Sequence, residues 1–331
     1  MPAQAARKRT SARTGDGGGP RVVLHADDLG LNRAVNEGVF QGLRQGLLTS
    51  ASLLANAPHA AEALAEWNDL LHEQTAGQLP SAELRRQLHD PRQPFDLGIH
   101  LNLTQGRPLI GSRYPAELLD RAGRFPGPFA LFGRLRGVST PFAAQIEAEL
   151  CRQVEFMLDH GRRPTHLNGH QYVEMMPALA PVVPRIVEKY AIPAVRAPVE
   201  RRAWPASFSP GFRGANAGLA LVKRFYAAKF RREIDRRGIV HPDAFFGSSH
   251  AGCIDLPLIA RFLARPRFSL GEIALHPGCA AQDGPCDVDD GWRDPLAAAR
   301  PHELELLLAP QLAELFLRQR LKLGRVGGLA A

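Results

Sequence analysis

The chain has 331 residues, with 41 Lys and Arg against 33 Asp and Glu for a formal net charge of +8, and 45% of its residues are hydrophobic. Its 31 Gly and 27 Pro fall short of the share at which composition argues for a disordered chain, and no apolar run nears the roughly 20 residues that cross a bilayer. The first 20 residues are basic and Gly-rich with no apolar segment behind them, so they read as a flexible leader, not a secretory signal. The cysteines, Cys151, Cys253, Cys279 and Cys286, form no CxxC pair, which argues against a zinc ribbon or a disulfide scaffold and points to a reducing cytoplasm.

From Arg21 onward the pattern alternates. Arg21 to Ala26 is a short apolar strand ending in two acids, and Asn32 to Leu47 repeats Val35, Val39 and Leu43 at helical spacing up to a capping Gly46. A strand over Ser50–Asn56, a helix over Ala60–Trp67 and a strand over Phe95–Leu103 follow. A Pro/Gly-rich loop runs through Pro128, then a helix from Pro141 to His160 and a strand over Thr165–Leu167. Beyond them come helix Val182–Tyr190, strand Ala194–Ala197, helix Leu219–Arg237, strand Ala244–Gly247, helix Leu256–Ala264, strand Leu270–Leu275 and a last helix over 301–319. Repeated βα units predict a parallel sheet with helices outside it, and such sheets place their sites at the C-terminal ends of strands.

Five predicted strand ends carry polar groups. Asp27 and Asp28 follow the first strand; in extended chain they would face opposite ways, and their bland reading is a helix N-cap. His100 lies in Gly98-Ile-His-Leu-Asn-Leu103, Arg196 ends a short strand, and His276 ends the strand before Pro277-Gly278. In Pro164 to Glu174 every second side chain, His166, Asn168, His170, Tyr172 and Glu174, can ligate or hydrogen-bond. His100, Arg196 and His276 alone are more simply satisfied structural residues, whereas His166 and His170 lie too close in an irregular segment for both to be core; together the set is what a metal-assisted hydrolase needs. One carboxylate and two imidazoles would hold a divalent ion, Zn²⁺ or Mg²⁺, a second carboxylate would take a proton from the attacking water, and a histidine would protonate the leaving amine.

The positive charge concentrates at Arg7, Lys8, Arg9 and Arg13 and again at Lys223, Arg224, Lys229, Arg231, Arg232, Arg236 and Arg237. With no aromatic-interleaved motif beside it, this charge reads first as a solvated face, next as attraction to an anionic membrane surface, and last as nucleic-acid binding.

The chain resembles the YdjC-like carbohydrate deacetylases, which include chitooligosaccharide deacetylases and hopanoid-biosynthesis-associated deacetylases. The resemblance rests on His25-Ala-Asp27-Asp28-Leu-Gly30, Gly46-Leu-Leu-Thr-Ser-Ala-Ser52, Gly98 to Leu103, Pro164 to His170 and Leu275-His276-Pro277, in order over about residues 20–325. It implies an irregular (β/α) TIM-like barrel related to the polysaccharide deacetylases, as one domain over 21–325. It implies metal-dependent removal of acetyl from an N-acetylated amino sugar, carried by an oligosaccharide or a glycolipid such as a glycosylated hopanoid. By the same resemblance Asp28, His100 and His170 are the metal ligands, Asp27 is the base, His276 the acid, and Arg196 orients Asp27 or the substrate. His166 takes a supporting role. The family's motif runs His-x-Asp-x-His-x-His-x-His, whereas this chain has Asn168, Tyr172 and Glu174 in it; Asn168 and Gly123-Arg-Phe-Pro126 are similar to the hopanoid-associated branch. Two rival readings are a metal-dependent phosphoesterase on a related barrel and a non-catalytic sugar- or nucleic-acid-binding protein. A homodimer is common for enzymes of this size, and no residue in the sequence marks an interface.

Overall fold

The computed structural model describes residues 19–88, 95–135, 142–200, 215–280 and 291–329, with backbone only for 215–221. The leader through residue 18 and Cys286 lie outside these residues.

The strands are β1 (Arg21–Leu29), β2 (Ser50–Leu53), β3 (Asp96–Leu101), β4 (His166–Gly169), β5 (Ala194–Val195), β6 (Ala244–Phe246), β7 (Leu270–Leu275) and β8 (Lys322–Leu323). They form one sheet in the order β5-β4-β3-β2-β1-β7-β6, and every pairing is parallel. Single bridges from Ala194 to Val240 and from Glu200 to Phe245 bring the β5 and β6 ends of that order together, so the sheet curls into an irregular barrel. β8 pairs with Arg21 and Val22 beneath β2, and its trailing segment seals the base: Arg325 and the Gly327 amide bond the buried Asp96 carboxylate. The predicted α/β barrel is the fold observed.

Helices α1 (Arg33–Arg44), α2 (Ala60–Thr75), α3 (Ala82–Leu88), α4 (Pro128–Leu135), α5 (Ala143–Asp159), α6 (Val182–Tyr190), α7 (Ala215–Arg236), α8 (Leu256–Leu263), α9 (Arg300–Leu308) and α10 (Pro310–Arg318) flank the sheet. On α1 the spacing of Val35, Val39 and Leu43 buries all three against the sheet. Among the described residues no helix is long and apolar enough to cross a membrane.

Several boundaries differ from the sequence expectation. The single helix over 301–319 divides at Pro310, which lacks an N–H and opens α10, while Ala309 is extended. α3, α4 and β8 were not expected; they are short, and α4 begins where the expected loop ends, in a stretch given no element. β4 runs to Gly169, so Asn168 belongs to the strand. The N-cap of α1 is Asn32, whose side chain accepts from the Val35 amide, and Gln45 is its C-cap, so neither Asp27, Asp28 nor Gly46 caps it.

Candidate metal centre and its supporting network

The two adjacent acids reach one site because β1 breaks its own alternation. Asp28 has φ of 67°, and the β1–β2 register shifts between Ala26 and Leu29. A left-handed residue at a bulge re-aims the side chain that the pleat would send to the opposite face. Asp27 and Asp28 therefore both line one cavity of about 580 Å³ together with His100, His170, Tyr172 and His276.

One carboxylate oxygen of Asp28 and one ring nitrogen each of His100 and His170 lie within 4.8 Å of one another, and all three residues are buried. His100 Nε2 is 3.5 Å and His170 Nδ1 3.0 Å from Asp28 Oδ1. The other Asp28 oxygen accepts from Arg300 Nη2 at 2.8 Å. Burial pushes the Asp28 carboxyl up, but His170, His100 and Arg300 outweigh it and hold it well below the usual carboxylate range. His170 is pulled the other way: burial lowers its pKa against the pull of Asp28. Its Nε2 meets the side-chain amide of Gln105 at 3.1 Å. Gln105 is fixed by the Arg293 amide and by a loop anchored on Asn102, whose backbone is bonded by the buried Gln153 of α5.

Asp27 sits beside this trio, on an anchored carboxylate. Arg196 grips it with two bonds, Nη1 to Oδ2 at 2.7 Å and Nη2 to Oδ1 at 2.8 Å. Burial would raise the Asp27 pKa, yet the Arg196 charge, then His100, hold it well below the usual range. Arg196 is itself 1% exposed, stacks 5.1 Å over the Phe245 ring and donates from Nε to Glu272 Oε1 of β7 at 2.8 Å. At that burial Arg196 braces Asp27 from behind. His276 Nε2 approaches Asp27 Oδ2 from the cavity side at 3.9 Å, and the His276 backbone amide donates to buried Glu303 at 2.6 Å.

His166 lies off the cavity, behind Asp27. Its Nε2 meets His25 Nε2 at 2.7 Å, its Nδ1 meets Thr165 Oγ1 at 3.0 Å, and His25 Nδ1 is 3.0 Å from Arg196 Nη2. His25 Nδ1 also lies 3.0 Å from Asp27 Oδ1, so one arrangement of protons serves the row: His25 donates to Asp27, His166 to His25 and Thr165 to His166. Both rings are then neutral, in keeping with burial, which lowers the pKa of His25 and drops that of His166 well below its ordinary value. Gly98 of β3 makes room for this, since a Cβ there would occupy the His166 ring.

Tyr172 reaches the cavity wall through two successive left-handed residues, Gln171 at φ 53° and Tyr172 at φ 63°, and Lys223 Nζ lies 4.9 Å above its ring. Burial pushes the Tyr172 hydroxyl well above its ordinary pKa. Glu174 turns away and packs on Gly169, where a Cβ would strike its carboxylate. Neither Glu174 oxygen has a hydrogen-bond partner among the described residues, and burial pushes the Glu174 pKa up to about 7.

Every residue singled out in the sequence thus gathers in or directly behind one cavity. Sequence reasoning missed four partners: Arg300 on Asp28, Glu272 on Arg196, Glu303 on His276 and Gln105 on His170. One had a signal: Glu272 is an acid inside the apolar run Leu270–Leu275, which demands a buried cation.

The bare donors suit a divalent ion. Asn168 Nδ2 donates to Asp27 Oδ1 at 3.0 Å, which fixes the amide so that its Oδ1 accepts from His100 Nδ1 at 2.9 Å and leaves His100 Nε2 with a free lone pair toward Asp28. Beside them the cavity has an ionised carboxylate, an imidazole and an apolar wall.

The sequence matches the family model described as YdjC-like protein over residues 21–318. A carbohydrate deacetylase of Mus musculus is 29% identical over 322 residues, covering 88% of this chain and 89% of that one. A carbohydrate deacetylase of Geobacillus stearothermophilus is 33% identical over 172 residues, covering 52% and 57%. A crystal structure of an Enterococcus faecalis V583 protein superposes with a TM-score of 0.69 at 18% identity, covering 94% of this chain and 99% of its own, and so shares the fold. With a family model matched across the whole span from β1 to α10, the chain belongs to the YdjC-like family.

Proposed function

We propose that the protein is a hydrolase that removes the acetyl group from an N-acetylated amino sugar, using one divalent metal ion held by Asp28, His100 and His170. The observation that carries this reading is the convergence of those three donors on a cavity floor that also holds a proton acceptor, Asp27, and a second imidazole, His276. The deacetylase names of the relatives support the substrate class.

When bound, such an ion would lower the pKa of a water and polarise the amide carbonyl. The chain's own residues supply the rest. Asp27, kept ionised by Arg196, accepts a proton from the attacking water at its Oδ2 edge, which faces the cavity and His276. His276 Nε2 donates a proton to the amide nitrogen as the C–N bond breaks, giving a free amine and acetate. Arg196, Glu272, His25 and His166 position Asp27 and touch no substrate. Two imidazoles and a carboxylate suit Zn²⁺ and neighbouring first-row ions, while Mg²⁺ would rest on Asp28 and more waters. Leu31, Pro128, Phe132, Met175, Met176 and Leu296 supply much of the wall. Gln171, Lys223, Tyr226, Ser248 and Arg293 on the same lining can bond sugar hydroxyls, while the apolar stretch suits the lipid part of a lipid-linked sugar.

The test is acetate release from free and lipid-linked N-acetylglucosamine compounds, with protein stripped by chelator and reloaded with Zn²⁺, Mg²⁺, Mn²⁺ or Co²⁺. Metal-dependent acetate is expected. Metal-loaded protein that releases acetate from no compound, yet hydrolyses a generic phosphoester, would replace this reading with the phosphoesterase one.

A further inference from the structure

Around the cavity mouth large apolar side chains stand exposed among the described residues. Phe129 on α4 is 75% exposed, and Val222 and Phe225 on α7 are 50% and 55% exposed. Phe129 and Val222 line the same cavity as Asp27 and Asp28, and the Phe132 and Tyr226 rings, 5.7 Å apart, pack α4 against α7 to form this rim.

The outer face of α7 continues the pattern. Its inner stripe, Ala227, Phe230 and Ile234, is buried. The stripe opposite is exposed and reads Val222, Phe225, Lys229, Arg232, Arg236, spaced at steps of three and four: apolar at the rim, basic away from it. Residues 222–237 hold seven Lys and Arg against only Glu233 and Asp235. Arg231, Arg236 and Arg237 pair with these acids or with Glu188, whereas Arg224, Lys229 and Arg232 have no carboxylate partner among the described residues. Lys229 instead lies 4.6 Å above the Phe225 ring.

Three occupants could cover such a face, and the charge and apolar pattern together choose among them. A second copy of the chain, related by a two-fold axis, would bring this basic stripe against or beside itself. A nucleic acid would neutralise the cations but leave Phe129, Val222 and Phe225 facing phosphates and water. An anionic lipid surface satisfies both halves: aromatic and aliphatic tips enter the headgroup boundary while the basic stripe meets the lipid phosphates. We propose that the α4–α7 rim docks this protein on an anionic bilayer, with the cavity opening onto the lipid. The docking is independent of the reaction and is tested without it.

The test is co-sedimentation of the full chain with extruded vesicles of phosphatidylcholine alone or mixed with phosphatidylglycerol, at low and high salt. Wild type is expected to bind the phosphatidylglycerol vesicles at low salt and to release them at high salt. Phe225→Ser, and separately Lys229→Glu with Arg232→Glu, should each weaken that binding by roughly ten-fold or more. All three positions are exposed and outside the cavity lining, so unfolding midpoints and the rate on a soluble acetamide substrate should stay at wild-type values. Three results overturn the proposal: no vesicle binding at low salt, equal binding to neutral and anionic vesicles, or full binding by both variants. Salt-dependent capture of duplex DNA without capture of vesicles overturns it in favour of nucleic acid.

Discussion

Asn168 donates to Asp27 Oδ1 at 3.0 Å and accepts from His100 Nδ1 at 2.9 Å, so one amide couples Asp27 to one of the three donors of the candidate metal site. The direction of the first bond dictates the second, since an amide turned over would set its oxygen against a carboxylate. Removing the amide should therefore loosen the His100 ring and release its tautomer. Asn168→Ala is expected to weaken metal affinity by roughly 10–100-fold, as measured by calorimetric titration of the chelator-stripped protein.

Asp27 and Asp28 adjoin in sequence but should respond in opposite ways. Asp27→Asn is expected to leave metal stoichiometry unchanged and lower kcat by about 10²–10⁴-fold. Asp28→Ala is expected to lose bound metal and turnover together. Inductively coupled plasma analysis beside acetate release separates the two, and an Asp27→Asn enzyme with a near wild-type rate would remove the proton-acceptor assignment.

Metal should also stabilise the fold, because the three donors come from β1, β3 and the turn after β4 and are assembled only in the folded chain. An ion present at 100 times its dissociation constant adds about 2.7 kcal/mol. Scanning calorimetry of stripped and reloaded protein should show a higher Tm with metal in wild type and no shift in Asp28→Ala.

Glu174 gives a pH dependence of known sign. Its folded pKa of about 7 lies above the ordinary value of 4.5, so the unfolded chain ionises first. Its contribution is then most favourable at acidic pH and is lost as pH rises from the unfolded value through about 7. The size is about 3 kcal/mol at roughly 1.4 kcal/mol per pKa unit. Glu174→Gln should flatten this decline, so its Tm relative to wild type should rise between mildly acidic and mildly alkaline buffers.

Gly98→Ala tests the row behind Asp27. The added methyl competes with the His166 ring for one space, and His166 cannot move without leaving His25. A loss of about 1–3 kcal/mol in stability is expected from such overpacking, read as a lower midpoint in urea.

Much of the site was legible because strand ends are where a parallel barrel exposes function, and His100, Arg196 and His276 sit where an alternating βα pattern puts them. The Asp27–Asp28 pair shows the limit. A period of two forbids both acids from facing one cavity, and only the left-handed turn at Asp28 reconciles them, a conformation that no residue type at that position announces. Arg300 was out of reach for another reason: it enters from the far end of the chain, where the apolar pattern of α9 is weak and Pro310 interrupts the helix. Tyr172 and Glu174 looked equivalent in a run of alternating polar residues, but the turn at Gln171 ends the alternation and sends one to the cavity wall and the other onto Gly169.

The placement of β1 bears on how the molecule comes into being. This strand is the first of the sheet to be made, yet its neighbour on one side is β7 and its lower edge is completed by β8, the last strand of the sheet. Through most of synthesis the strand that bears Asp27 and Asp28 has a single partner, β2, and the braces on its acids, Arg196, Glu272 and Arg300, arrive later still. Closure of the barrel and completion of the site are thus coupled, and a nascent chain stalled before β7 has Arg196 for Asp27 but holds an uncompleted edge and lacks Arg300, the cation on Asp28.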